Sequence, residues 1–173
     1  MKHGFYLIIA LVLLSTLSYG QELQKTRAIH LQGGTANAGL HIGAGMEKFW
    51  GRSYTNSFLV SLNYQRFNRS IEVTGLNLKE QDAFLNLGYR KYIPVTNRFL
   101  PYIGASVLAG WEHLGYGASD IYEHHPTKKF IYGAGAHIGA EYRINPISFF
   151  VEGGYIYDLD NTWTVSAGIK YYF

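Results

Sequence analysis

The alternation of apolar and polar residues is clearest at the C-terminus of the chain. From Trp163 to Phe173 every odd position is apolar, and the even positions between them are mostly small or polar. A period of two predicts a β-strand with one apolar and one polar face. A run of about ten residues is also the length that a tilted strand needs to cross a bilayer. The last segment therefore predicts a membrane-spanning strand.

The same alternation recurs in earlier segments of the chain. The predicted strands are residues 29–34, 38–47, 58–65, 83–90, 99–111, 130–142 and 149–157. Together with 163–173 they make eight, an even number, as a closed antiparallel barrel with both termini on one side requires. The predicted fold class is all-β, an eight-stranded antiparallel transmembrane β-barrel of the outer-membrane type.

The links between the predicted strands differ in length. The links at 50–56, 94–98 and 144–146 are short, and the last two carry Pro and Asn, which favour turns. The links at 68–79 and 113–129 are long. Outer-membrane barrels have short periplasmic turns and longer external loops. We therefore expect the short links in the periplasm and the two long links outside the cell.

A soluble lipocalin-like barrel also alternates, but its polar face is outside. Here that face would consist mostly of Gly, Ser and Asn, which is a poor solubilising surface. Lys48, Arg66 and Lys91 share the apolar face, but each stands at a predicted strand end, where its side chain can reach the interface. Aromatic residues also form two belts, as at membrane interfaces, and this favours the membrane barrel. The belts are Phe58, Phe99, Tyr142, Phe149 and Phe173, and Tyr64, Trp111, Tyr132, Tyr157 and Trp163.

The N-terminus has the features of a secretory signal peptide. A basic start precedes a short apolar stretch at 5–14, and small residues follow at Ser18 and Gly20. The alternative, a transmembrane anchor, needs about 18–20 apolar residues, which this stretch lacks. We therefore predict a signal peptide at 1–20 that is cleaved after Gly20, and a single outer-membrane barrel domain at 21–173. The chain contains no Cys, so neither lipidation nor a disulfide is expected.

The composition of the chain indicates which kinds of partner are expected. Charged residues make up 16% of the chain, whereas a soluble domain usually carries about 25%. The net charge of +3 is small and forms no basic stripe, so direct binding of nucleic acid is not expected. The aromatic end of the last strand, with Tyr171 and Phe173, resembles the signal by which barrels are handed to their insertion machinery. The predicted partners are that machinery and the lipid bilayer of the Gram-negative outer membrane.

Several charged residues have the parity of the barrel interior. Unpaired charges in a narrow lumen are very costly, whereas a network of ion pairs is tolerated. Side chains nearly fill the lumen of an eight-stranded barrel, so we interpret the group as a structural plug. The alternative is a proton or ion path. The predicted network comprises Glu47, Arg90, Glu112, Glu141, Arg143, Glu152 and Lys170.

Two groups of polar residues in the links have ligand chemistry. The first offers imidazole and carboxylate ligands for a transition metal, but an external loop holds its ligands in no fixed geometry. The second resembles the start of a calcium loop, but no Gly follows it and no Glu closes it, so turn formation explains it better. We therefore predict no metal and no cofactor. The first group is Glu123, His124 and His125 with His113, and the second is Asp158, Asp160 and Asn161.

Some eight-stranded outer-membrane barrels are lipid-modifying hydrolases or acyltransferases, with His and Ser near the outer rim. In this chain the corresponding candidates are His113, Ser119 and His124. None of them stands on a strand with a partner at a readable spacing, so no catalytic triad can be assembled from the sequence. We predict a non-enzymatic protein with no catalytic residue.

Two segments resemble a known family. Residues 130–141 read Phe-Ile-Tyr-Gly-Ala-Gly-Ala-His-Ile-Gly-Ala-Glu, and residues 164–173 form the terminal strand. With the strand spacing and the signal ending before Gln21, they resemble the TraO family, small proteins encoded on conjugative transposons of Bacteroidetes-type bacteria. The resemblance spans the whole mature chain. It implies an outer-membrane component of a conjugation apparatus, with other conjugation proteins as partners and no established catalytic residue.

The fold restricts what such a component does. An eight-stranded barrel cannot pass DNA, because its lumen barely holds its own side chains. A role in conjugation is therefore that of a scaffold, anchor or surface contact. Two alternatives stay open: a general structural or adhesive, porin-like barrel unrelated to conjugation, and the lipid-modifying enzyme. The candidate contact residues lie in the long fifth link and are Tyr116, Tyr122, His124 and His125.

Overall fold

The structure is a computed structural model. The predicted signal peptide at 1–20 lies outside the residues that it describes. Within the described residues, no helix is long and apolar enough to cross a bilayer. The described residues are 26–37, 39–51, 55–71, 76–116, 127–157 and 161–173, with side chains for all of these except 68–71, 76–78, 115, 116 and 127.

Eight β-strands close into an antiparallel barrel, which confirms the predicted fold class. Each strand pairs with its neighbours in the chain, and β1 pairs with β8 to close the sheet. At this closure the backbone N–H of Phe173 donates to the carbonyl oxygen of Arg27 at 2.9 Å. The strands are β1 (Arg27–Ala36), β2 (Gly39–Trp50), β3 (Asn56–Ile71), β4 (Leu76–Tyr92), β5 (Phe99–Tyr116), β6 (Thr127–Ile144), β7 (Ile147–Tyr157) and β8 (Thr162–Tyr172).

The two faces of the barrel wall differ as a period of two requires. The outward residues Val107, Ile138 and Val165 are 58%, 66% and 62% exposed. The inward residues Tyr102 and Glu141 are buried. An apolar outer surface suits hydrocarbon, and the closed sheet pairs the backbone polar groups of the spanning segments internally.

The strands fall into two length classes. β1, β2, β7 and β8 contain 10, 12, 11 and 11 residues, close to what a tilted strand needs to cross a bilayer. β3 to β6 contain 16, 17, 18 and 18 residues. Pairing of β3 with β2 ends at Leu40↔Arg66, and pairing of β6 with β7 ends at Ala134↔Tyr157. Beyond these pairs β3–β6 continue as a sheet that we call the projecting wall, made of 67–71, 76–80, 112–116 and 127–133.

The projecting wall corrects the two long links predicted after the third and fifth strands. Much of their length is strand: β3 and β4 are paired as far as Ile71↔Leu76, and β5 and β6 as far as Leu114↔Thr127. The prediction was wrong because a strand outside the bilayer satisfies its backbone hydrogen bonds without an apolar face, so the sequence there lacks the period of two. The short turns lie at the opposite end, from Trp50 to Asn56, Tyr92 to Phe99 and Ile144 to Ile147.

Candidate functional site

Charged residues fill the lumen near the end of the barrel that carries the short turns. The buried Arg90 guanidinium contacts Glu47 at 3.2 Å and Glu152 at 2.5 Å. It lies over the Tyr102 ring, 4.9 Å from the ring centroid, and its Nε donates to Nε2 of His137 at 3.3 Å. These partners stand on β2, β7, β5 and β6, so a single side chain connects much of the wall.

Lys170 extends this network toward β6. Its Nζ lies 2.8 Å from a Glu47 oxygen and 2.9 Å from a Glu141 oxygen. Arg143 contacts Glu141 at 3.3 Å. Acids and bases balance in number, so the buried charges compensate one another. We call the group the charged plug, and it contains every residue of the predicted network except Glu112: Glu47, Arg90, Glu141, Arg143, Glu152 and Lys170.

Inward aromatic residues close the lumen beside the charged plug, a feature that the alternation of apolar and polar residues does not predict. The Phe49 ring centroid lies 5.6 Å from that of Tyr92 and 5.5 Å from that of Tyr172. The hydroxyls serve the plug, since Tyr92 donates to Glu47 at 2.6 Å and Tyr102 to Glu152 at 3.0 Å. The available signal was the presence of aromatic residues at inward positions near the strand ends. We call this cluster the aromatic floor; it consists of four aromatic residues, Phe49, Tyr92, Tyr102 and Tyr172, and two aliphatic ones, Ala28 and Leu100.

Glu112 lies apart from the plug, at the start of the β5 segment of the projecting wall. It is in register with Asp82, whereas Arg90 stands near the other end of β4. Carboxylate oxygens of Glu80, Asp82 and Glu112 lie within 4.8 Å of one another, and all three side chains are buried. Oxygen ligands of this kind are those that hard divalent cations prefer. The predicted parity of Glu112 is correct, but its assignment to the network is not, because alternation along a strand carries no information about level in the lumen.

A polar cavity of about 40 Å³ lies next to the plug. Gln32, His41 and Asn63 line it together with His137 and Glu152. The Gln32 amide nitrogen donates to Asn63 Oδ1 at 3.3 Å and lies 3.1 Å from His41 Nε2. This volume holds a few water molecules. The lumen therefore contains a small polar cavity next to the plug.

Most of the predicted loop candidates lie outside the described residues. Tyr116 is the last residue of β5 and is in register with Leu78. His113 shares the outward parity of Trp111 and is half-buried. The metal and enzyme hypotheses stay untested, because the structure does not describe the remaining residues. These are Ser119, Tyr122, Glu123, His124, His125, Asp158 and Asp160.

The C-terminal strand carries the predicted insertion signal. Tyr171 is in register with Ile29 on one side and Ile147 on the other. Phe173 is 47% exposed and shares the outward parity of Tyr171. Both aromatic residues therefore belong to the outer surface at the end with the short turns. Their recognition by insertion machinery stays a prediction.

Comparison with known proteins shows which solved structures share this architecture. No family model matches the chain, and no curated protein matches its sequence. The N-terminal β-barrel domain of OprF from Pseudomonas aeruginosa is similar in structure, with a TM-score of 0.62 and 13% identity over 86% of this chain and 98% of that chain. This protein has the outer-membrane barrel fold.

Two other solved barrels support the same conclusion. Neisserial surface protein A has a TM-score of 0.59 and 11% identity, covering 85% of this chain and 94% of its own. Ail, the attachment invasion locus protein of Yersinia pestis, has a TM-score of 0.56 and 10% identity, covering 85% and 96%. At identities this low, the structural similarity shows a shared fold and no more. The fold implies that the apolar outer face is embedded in a lipid bilayer.

Proposed function

We propose that this protein is a non-enzymatic barrel of the Gram-negative outer membrane that serves a conjugative DNA-transfer apparatus as a scaffold, anchor or surface contact. On this proposal residues 1–20 direct the chain to the periplasm and are then removed. The aromatic residues Tyr171 and Phe173 deliver the last strand to the insertion machinery. The resemblance of residues 130–141 and 164–173 to the TraO family supports the link with conjugation.

The filled lumen is the observation that supports a role other than that of a DNA pore. Arg90 and Lys170 tie the charged plug together across the barrel, and the aromatic floor closes it from one side. The lumen of an eight-stranded barrel is about filled by its own side chains, which leaves no path for a DNA strand. A barrel of this kind acts through its surfaces and not as a conduit for DNA.

The projecting wall supports a role in surface contact. Residues 127–133 of β6 pair with β5, while the pairing of β6 with β7 starts only at Ala134. One edge of this segment therefore has no neighbouring strand among the described residues. Strand edges outside a bilayer offer backbone donors and acceptors to a partner. The loop between Tyr116 and Thr127 continues from the same hairpin and carries the predicted contact residues Tyr122, His124 and His125.

A mating experiment tests the link with conjugation. Donor cells lacking the gene are complemented with the wild-type protein or with a variant that lacks residues 115–127. We expect mating to fall without the gene, to recover with the wild type, and to stay low with the variant. Surface display and heat-modifiable migration on gels must first show that the variant is folded.

Two results of this experiment would contradict parts of the proposal. Normal mating by donor cells that lack the gene would exclude a role in conjugation and would favour a structural barrel unrelated to conjugation. Normal mating by a folded loop variant would exclude this loop as the contact surface. Conductance in planar bilayers tests the lumen separately, and we expect no current able to carry a DNA strand.

A surface-binding barrel without a link to conjugation is the second candidate. The projecting wall favours it, because β3–β6 extend beyond β2 and β7, and Ail, which has a similar fold, bears the name of an attachment protein. Gene neighbourhood discriminates the two, since flanking conjugation genes favour the first and their absence favours the second. The lipid-modifying enzyme has no assigned residue, because Ser119 and His124 lie outside the described part of the chain.

A further inference from the structure

An aromatic row crosses the outer face of β3–β6 at the base of the projecting wall. Its members are neighbours in the strand register and share the outward parity of the apolar band. Trp111 and Phe130 are 65% and 54% exposed, and their ring centroids lie 5.8 Å apart. Exposed aromatic residues at this position mark the interface between hydrocarbon and headgroups. The aromatic row consists of Tyr64, Trp111 and Phe130, with Ala83 in register between Tyr64 and Trp111.

A basic row lies directly beyond the aromatic row, two residues further along each strand. Arg66 and Lys128 stand at its two ends and are exposed. Exposed Lys79 follows one step further out, in register with Gly115. The Tyr64 hydroxyl donates to Gln81 Oε1 at 3.2 Å and so connects the two rows. The basic row consists of Arg66, Gln81, His113 and Lys128.

The acidic side chains described in this part of the barrel lie on the inner face, where Lys129 is in register with Glu112. Glu80, Asp82 and Glu112 alternate along β4 and β5 with residues of the basic row, but their side chains are buried on the lumen side. Among the described outward side chains beside the row, none is acidic. Among the described side chains of the outer face, no carboxylate therefore neutralises the positive charge of Arg66, Lys79 and Lys128.

The depth of the basic row in the bilayer indicates which kind of ligand this positive face would bind. Two residues along a strand are about 7 Å, which places the basic row at the depth of the headgroups when the aromatic row lies at the interface. Arg66 is not explained as a side chain at a strand end, because β3 continues to Ile71. Basic residues at this depth attract anionic lipid headgroups. In the outer leaflet of the outer membrane, those headgroups are the phosphates of lipid A.

We propose that the basic row binds the phosphorylated sugar headgroup of lipid A, with Arg66 and Lys128 at its two ends and the acyl chains against the aromatic row. The two ends are separated by three strand spacings, about 14 Å, which is the scale of a disaccharide headgroup. The proposal depends on an outward-facing projecting wall. It does not depend on a role in conjugation.

The test compares two lipids and two proteins. Native mass spectrometry of the folded, purified protein measures binding of phosphorylated lipid A and of lipid A from which the phosphate has been removed. We expect the wild type to prefer the phosphorylated lipid, and the double variant Arg66→Gln, Lys128→Gln to bind it roughly 30-fold more weakly. Binding of the phosphate-free lipid should be the same for both proteins.

A matched control removes the same charge at the other interface. Lys48 and Lys91 are exposed on the outer face near the short turns, so Lys48→Gln with Lys91→Gln should keep the preference for the phosphorylated lipid. If the Arg66, Lys128 double variant does not fold, the single variant Lys128→Gln should still weaken binding about fivefold.

Several outcomes would overturn the assignment. Equal binding of the two lipids by the wild type would show that the protein does not recognise the phosphate. Unchanged binding by a folded Arg66, Lys128 variant, or equal loss in the Lys48, Lys91 control, would exclude the basic row as the site. Equal binding of phosphatidylglycerol and lipid A would reduce the row to general attraction for anionic lipid and exclude a lipid A site.

Discussion

The two halves of the barrel wall have different lengths on a common base. β1, β2, β7 and β8 contain 10 to 12 residues, whereas β3–β6 contain 16 to 18. All eight have one end at the same level of the barrel, where the turns are short. The thickness of the bilayer accounts for the length of the first half. The additional residues of the second half lie at the level of the headgroups and beyond, so spanning the hydrocarbon does not account for them.

The charged plug joins these halves across the lumen. Arg90 of β4 contacts Glu47 of β2 and Glu152 of β7, and Lys170 of β8 contacts Glu141 of β6. Each of these contacts connects a long strand with a short one. Buried ion pairs therefore stabilise the base that both halves share, while the acidic side chains described near the projecting wall lie on its inner face.

The largest effect is expected from breaking the plug. Arg90→Met leaves the buried carboxylates of Glu47 and Glu152 without their shared cation, and loss of one partner of a buried ion pair costs about 3–5 kcal/mol. Urea unfolding of the barrel in lipid vesicles, followed by tryptophan fluorescence, measures this loss. The matched control is Arg98→Met in an exposed turn, which should change the free energy of unfolding by less than about 0.5 kcal/mol. Equal stability of Arg90→Met and wild type would show that the plug does not hold the two halves together.

A somewhat smaller effect is expected on the lipid face. Val107 in a long strand and Val151 in a short strand are 58% and 59% exposed on the outer surface. Val107→Arg and Val151→Arg should each cost about 2–4 kcal/mol in the free energy of unfolding, because both place a charge near the middle of the bilayer. Similar costs would show that the halves are equivalent within the membrane. A Val107→Arg variant as stable as wild type would mean that the outward parity of β5 is misassigned.

Shortening the projecting wall should affect stability least among these changes. Deletion of 115–127 removes the register pairs Leu78↔Tyr116, Lys79↔Gly115 and Leu114↔Thr127 but leaves the plug and the apolar band intact. We expect the free energy of unfolding to change by no more than about 1 kcal/mol, since a change in loop length alters closure entropy only slightly. The same unfolding assay measures it. Failure of this variant to fold would show that the long half depends on its outer end.

Labelling of intact cells tests which end of the barrel faces the outside, and we expect no change in stability. A protease site or tag at Ser119 should be accessible from outside, because it lies in the longest link, and one at Thr96 should not, because it lies in a short turn. Labelling at Thr96 alone would invert the barrel. The projecting wall would then face the periplasm, and the basic row could not meet lipid A.

Prediction from the sequence succeeded where the membrane imposes a local pattern. The apolar alternation of residues 130–142 and 163–173 predicted their strands and the face of each side chain correctly. It failed for the outer parts of β3 and β5, because a solvated strand needs no apolar face. The aromatic floor also escaped detection, since an inward Tyr such as Tyr92 has the same parity as any other lumen residue.

The sequence by itself determined the class of fold, the number of strands and the face on which each spanning side chain lies. The reason is that side-chain direction alternates at every residue of a strand, so parity is a local property. Only the tertiary structure decided which inward charges meet and which outward residues form a row. The level of a residue in the lumen depends on the register of all eight strands after closure. That register brings Glu47 to Arg90, moves Glu112 to Asp82, and aligns Arg66 with Lys128 on the outer face.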